Sequence, residues 1–164
     1  RVEAGCAIIG ALALGFAPDL GGVAWALLGW LLLTLAVLDW RHFWLPDALT
    51  WPLAFLGFTL GFYATDATLT DRVIGAAAGY GALLVIALAY REGLGLGDAK
   101  LLGGLGAWMG WQALPFILLC ASMLGLVVML ASGRASHAAA RAPLGTFLAL
   151  AALPGWLLAT YLLR

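Results

Sequence analysis

The chain has 164 residues, 65% of them hydrophobic and 10% charged, with a mean hydropathy of +1.05. Soluble domains carry about a quarter charged residues, so the composition excludes an ordinary soluble domain and fits an all-α, polytopic transmembrane bundle. A formal net charge of zero offers no overall attraction to nucleic acid.

In chain order, charges delimit uncharged runs at 4–18, 20–38, 48–65, 73–90, 101–133 and 142–163. A bilayer core takes roughly 20 residues of helix, so most runs read as single spans and the first is marginal. The run 101–133 would be about 50 Å long as one straight helix, too long for one crossing. Gly110-Trp-Gln-Ala-Leu-Pro115 supplies a break, with Trp108 and Trp111 suited to a membrane interface. The expected arrangement is a short segment over about 99–109 and a full span over about 113–132, giving about seven membrane segments.

Loop charges support that count. With the N-terminus inside, Arg1, Arg41, Arg91, Lys100, Arg134 and Arg141 share the inner face. Arg72 and Arg164 are left outside with Asp19, Asp66 and Asp71. Positive charge favours the cytoplasmic side, which sets the orientation. A single crossing over 101–133 would move Arg134 and Arg141 outside, so the break is preferred. Asp39, at the end of the second span, and Asp98, two crossings later, then reach the same cytoplasmic face.

Each polar residue at that face has a plain reading beside a chemical one. Asp39 opens "DWRHFWLPD" (39–47). A carboxylate in the last turn opposes the helix dipole, so capping does not explain it; pairing with Arg41 or an interfacial position would. Asp98, within "GLGLGDAKLLGGLG" (93–106), fits an N-cap for a helix starting at Ala99. Asp47 reads as the cap of the third span. Lys100 reads as a snorkelling cation, or as a partner for an anionic substrate group or lipid phosphate. His42 has no second ligand at metal spacing and reads as interfacial, and His137 as solvated. Cys6 and Cys120 lie in apolar runs without a Cys-x-x-Cys spacing and read as packing residues; no metal site is expected. Gly75/Gly79 and Gly106/Gly110 match the Gly-x-x-x-Gly spacing of close helix packing.

The combination carries more than its parts. Two carboxyls close together in a low-dielectric site cannot both ionise comfortably and share a proton. The ionised group can then activate water while the protonated one donates to a carbonyl oxygen. Gly95 and Gly97 would let an extended substrate backbone approach Asp98.

The blocks "LDWRHFWLPDALTWPLAFLGF" (38–58) and "GLGLGDAKLLGGLGAWMGWQALPFILL" (93–119), with "APLGTFLALA" (142–151) after them, resemble the bacterial type IV prepilin peptidases, Gly-x-Gly-Asp intramembrane aspartyl proteases. The resemblance covers nearly the whole chain, and 142–151 falls where family members carry a Pro-x-Gly segment. It implies Asp39 and Asp98 as the catalytic pair, with Asp47 and Lys100 matching supporting positions. It also implies cleavage of the short basic leader of prepilins or pseudopilins, after a glycine, at the cytoplasmic face of the bacterial inner membrane. No metal or organic cofactor is expected for proteolysis; S-adenosylmethionine is expected only where a methyltransferase activity accompanies it.

Many family members carry an upstream zinc-binding domain with two Cys-x-x-Cys pairs. The expectation here is a single transmembrane peptidase domain over 1–164 without it, "RVEAG" resembling the point just after such a domain. The alternatives are a non-enzymatic carrier or scaffold, or a preflagellin- or presenilin-like protease. Intramembrane acids commonly mark transport paths, but no acid lies at mid-span and no inverted repeat is visible.

Overall fold

The computed structural model describes residues 2–89, 95–132 and 143–161. Among these the chain is an all-α bundle of seven helices: α1 (Val2–Phe16), α2 (Leu20–His42), α3 (Asp47–Ala64), α4 (Leu69–Ala89), α5 (Leu96–Met109), α6 (Leu114–Ala131) and α7 (Leu144–Tyr161). A 3₁₀ turn, Trp111–Ala113, separates α5 from α6. The break expected at 110–115 is therefore present, and its cause is local. Gly110 takes φ 80, a left-handed value that glycine tolerates, and Pro115 lies in the first turn of α6, where its missing N–H costs nothing. By length and composition, the helical stretches Leu20–His42, Leu69–Ala89 and Trp111–Ala131 are long and apolar enough to cross a membrane. The charges Arg1, Arg91, Arg134, Arg141 and Arg164, with His137, lie outside the described residues.

The central element is α5. From Asp98 to Met109 every residue except Lys100 is buried, as expected for a helix apolar on all sides. At 14 residues it is about 21 Å long, shorter than a bilayer core. Its glycines let the neighbouring helices close in. A methyl group on Gly75 of α4 would lie 2.7 Å from the Gly106 carbonyl oxygen, and one on Gly106 would run into the Gly75 backbone. The packing role expected of these glycines holds.

Two residues differ from their expected places. Trp108 is fully buried rather than interfacial, with Nε1 donating to the Leu53 carbonyl at 2.8 Å. It lies on the central helix against α3, where a methyl on Gly57 would come within 2.8 Å of its ring. Trp111 does stay half-exposed, and its indole donates to Asp71 Oδ1 at 3.0 Å.

Arg72, expected in an outer loop, is fully buried in α4. Its guanidinium donates to the carbonyls of Gly61 (2.7 Å), Thr65 (3.1 Å) and Ala107 (3.0 Å), to Thr65 Oγ1 (2.8 Å), and closely to the Trp108 carbonyl. These carbonyls belong to the C-terminal ends of α3 and α5, where helix carbonyls run short of intrahelical donors; Gly61 also accepts from the Thr65 N–H and Trp108 from the Thr65 hydroxyl. A cation there also meets the negative ends of two helix dipoles.

Candidate active site

The antiparallel course of the chain sets the ends of α2, α5 and α7 side by side. The last turn of α2 carries Asp39. The helix stops at Phe43, whose φ of 50 is left-handed and whose N–H donates to the Asp39 carbonyl at 2.8 Å. That αL cap is usually a glycine's place, and here it turns the chain sharply into Trp44-Leu45-Pro46. The buried Leu45 then wedges between the starts of α5 and α7. A methyl on Gly97 would lie 2.9 Å from Leu45 Cβ, and one on Gly145 would lie 3.0 Å from Leu45 Cδ1.

The first turns of α5 and α7 complete the site. Asp98 stands at the third position of α5, and Gly95 rather than Asp98 is the N-cap. The Asp98 carboxyl reaches back to accept from the Gly95 N–H at 3.3 Å, the side-chain half of a capping box. From α7, Thr146 donates to Asp39 Oδ2 twice, through its N–H at 2.7 Å and through Oγ1 at 3.0 Å. The Thr146 N–H is one of the first-turn donors a helix cannot satisfy internally, so the start of α7 is a natural seat for a carboxylate.

The two carboxyls meet over Gly145. A methyl there would lie 2.9 Å from Asp98 Oδ1 and 3.1 Å from Asp39 Cγ, so the missing side chain leaves the space between the two acids open. Asp39 is 4% exposed and Asp98 6%. Although the Gly145 N–H faces the Asp98 carboxyl, Oδ1 forms no hydrogen bond of ordinary geometry and is buried without a partner among the described residues. An orphaned acceptor of that kind costs about 1–3 kcal/mol in a folded protein, which makes it an unusual thing to keep for structure alone.

Trp40, Phe43, Val128, Met129 and Phe147 line a cleft of about 290 Å³ at the α2–α6–α7 junction, to which neither aspartate contributes. Two of its walls are sequence neighbours of the site, Trp40 following Asp39 and Phe147 following Thr146.

The other sequence candidates fall into place around it. Asp39 makes no ion pair with Arg41, which is exposed; it is held by α7 instead. Asp47 begins α3 but does not cap it, since the N-cap is Pro46 with no side-chain bond. Asp47 accepts from Lys100 Nζ at 2.5 Å in an ion pair. Lys100 thus has a partner within the chain, and it also borders a cleft of about 380 Å³ with Trp51, Phe58 and Tyr80. His42 is exposed, as an interfacial residue would be. No cluster of three or more potential metal ligands occurs among the described residues.

Gly97 is close-packed on Leu45, whereas a methyl on Gly95 would make only an ordinary contact with Asp98 Oδ2 at 3.5 Å. Sequence reasoning assigned no role to Leu45, Gly145 or Thr146. The only signal for the last two was the Pro-Leu-Gly-Thr run at 143–146, whose partner helices are distant in sequence.

Comparison with known proteins gives this geometry its context. The profile of the type IV leader peptidase family matches residues 26–130, a range that holds both aspartates. The chain is 41% identical over 154 residues to a prepilin leader peptidase/N-methyltransferase of Aeromonas hydrophila, covering 90% of this chain and 52% of that protein. It is 38% identical over 164 residues to the protein of that name from Stutzerimonas stutzeri, covering 94% and 55%. The match to the one from Escherichia coli K12 is 48% over 99 residues, covering 57% and 44%. The chain spans about half the length of these relatives. No solved structure matches it significantly. The family expected from the two aspartate blocks is the family found: the chain belongs to the type IV leader peptidases.

Proposed function

We propose that the protein is an intramembrane aspartyl endopeptidase that removes the leader from type IV prepilins or pseudopilins, with Asp39 and Asp98 as its catalytic pair. The observation that carries this reading is the meeting of two nearly buried carboxyls, from the end of α2 and the start of α5, across the gap left by Gly145. Structural ion pairs bring opposite charges together; two acids together, with one oxygen left unpartnered, suit shared-proton chemistry.

The reaction follows from that arrangement. The ionised carboxylate takes a proton from water as the water oxygen bonds to the scissile carbonyl carbon. The protonated carboxyl gives its proton to the carbonyl oxygen, forming a neutral tetrahedral diol. As the diol collapses, the carboxyl that took the water proton gives it to the leaving amine and the C–N bond breaks. The other carboxylate takes a proton from a diol hydroxyl, so the pair ends as it began with one proton shared. Water and the two acids are sufficient, so this hydrolysis needs no metal or organic cofactor.

The distribution of basic residues supports a cytoplasmic site in the bacterial inner membrane, because Arg41 and Lys100 fall at the same end of the bundle as the two aspartates. N-methyltransferase is part of the longer relatives' name, and the present reading concerns peptide hydrolysis alone.

The test is mass spectrometry of a prepilin incubated with membranes in which the protein has been expressed. A new N-terminus just after the leader glycine, made by the unmutated protein and not by Asp98→Asn, is the expected result. Equal cleavage by the two would remove Asp98 from the chemistry. Absence of cleavage together with ion flux through the purified protein in liposomes would favour a carrier.

A further inference from the structure

Thr146 stands where an acid that gains and loses a proton needs a partner in both states. Its side chain is buried at the start of α7. Oγ1 lies 3.0 Å from Asp39 Oδ2 on one side and 3.1 Å from the Ala36 carbonyl oxygen on the other. A hydroxyl has a single proton and two lone pairs, so it can donate to only one of those oxygens at a time. The Ala36 carbonyl, one turn before Asp39 on the same helix, can only accept. Asp39 Oδ2 accepts when ionised and can donate when protonated.

We propose that Thr146 is a positioning residue whose hydroxyl turns between Asp39 and the Ala36 carbonyl as Asp39 changes protonation. The inference rests on the aspartyl protease reading and adds a role within it. With Asp39 ionised, the Thr146 O–H donates to Oδ2 beside the Thr146 N–H, which is 2.7 Å away. When Asp39 takes the proton from water onto Oδ2, that proton is donated to Thr146 Oγ1, and the hydroxyl proton swings to the Ala36 carbonyl. The rotation itself breaks no covalent bond. The only O–H bond broken is the water's, whose proton now sits on Oδ2, and the Thr146 hydroxyl keeps its own proton throughout. In the ionised state Oδ2 then has both Thr146 donors, and in the protonated state its O–H has an acceptor that would otherwise be missing. The carboxyl also keeps its orientation towards Asp98, the other titratable group that faces it.

Two substitutions separate this role from packing. Thr146→Val keeps the shape and deletes the hydroxyl; Thr146→Ser keeps the hydroxyl and deletes the methyl group. The hydroxyl role predicts that Val lowers kcat for prepilin cleavage about 10- to 100-fold with KM little changed, while Ser stays within about threefold of the unmutated protein. A packing role predicts the reverse order, with Val the better tolerated. Val activity equal to the unmutated protein's would overturn the proposal while leaving the protease reading intact.

An infrared measurement does not depend on turnover. The Asp39 carboxyl stretching band, identified by its loss in Asp39→Asn, should shift in Thr146→Val and stay in place in Thr146→Ser. An unshifted band in the Val variant, with helical circular dichroism and melting temperature unchanged, would overturn the proposal even if no peptide is cleaved.

Discussion

Both ends of α5 hold a buried charged side chain, and the two are satisfied very differently. At the C-terminal end, Arg72 meets the carbonyls of two helix ends and the Thr65 hydroxyl, and its guanidinium lies 4.8 Å from the Phe62 ring centroid. At the N-terminal end, Asp98 faces another acid and the Gly145 N–H, accepts one long hydrogen bond from Gly95, and has no partner of ordinary geometry for Oδ1 among the described residues. A buried charge surrounded by complementary groups holds helices together. A buried acid set against a like group, with an oxygen to spare, has unused capacity to bond something that is not always there. The first arrangement suits a structural role; the second suits the acid–base role proposed for the pair.

If that contrast is right, damage at the two ends should separate stability from activity. Arg72→Met removes the guanidinium donor from the carbonyls of Thr65 and Ala107, and one of two donors from those of Gly61 and Trp108. It should cost about 3–5 kcal/mol of stability, read as a steep fall in melting temperature in detergent, with activity lost only through unfolding. A melting temperature near normal would mean that water or another side chain replaces the guanidinium.

Gly145→Ala attacks the other end. Its methyl would enter the gap between the acids, 2.9 Å from Asp98 Oδ1 and 3.1 Å from Asp39 Cγ, and push them apart. Cleavage should fall on the order of 100-fold while the melting temperature moves by a few degrees, because the displaced atoms are side-chain ends. Full activity would show that the acids need not meet across that gap.

The smallest effect belongs to Lys100→Met. The ion pair with Asp47 is partly solvated, the Asp47 side chain being 61% exposed, so the loss should be below about 1 kcal/mol. Cleavage kinetics should stay within a fewfold, and a loss of rate comparable to that of Gly145→Ala would place Lys100 in contact with substrate.

The helical architecture was readable from sequence because it rests on local signals. Runs of apolar residues between charges give the spans, and Gly110 with Pro115 marks the break between α5 and α6. That Asp39 and Asp98 would come together was also readable, since both fall at one end of the spans, and their two sequence blocks resemble the family the chain belongs to. The misread residues depend on contacts between helices. Arg72 looks like a loop cation until α3 and α5 bring their C-terminal carbonyls to it. Trp108 looks interfacial until Gly57 makes room for its ring. Asp47 and Lys100 have ordinary local explanations, and only the packing of α3 beside α5 pairs them. Thr146 is a common residue in an apolar helix, and its significance appears when α7 is set against α2.

The central claim is that Asp39 and Asp98 act as one unit, and the kinetics of Asp39→Asn, Asp98→Asn and the double variant test it most directly. Each single substitution should lower the rate of prepilin cleavage by about 1,000-fold or more. The double variant should be no slower than the worse single one, since both residues serve the same step. All three should melt close to the unmutated protein. Near-normal cleavage by either single variant, or losses that multiply in the double, would contradict the account.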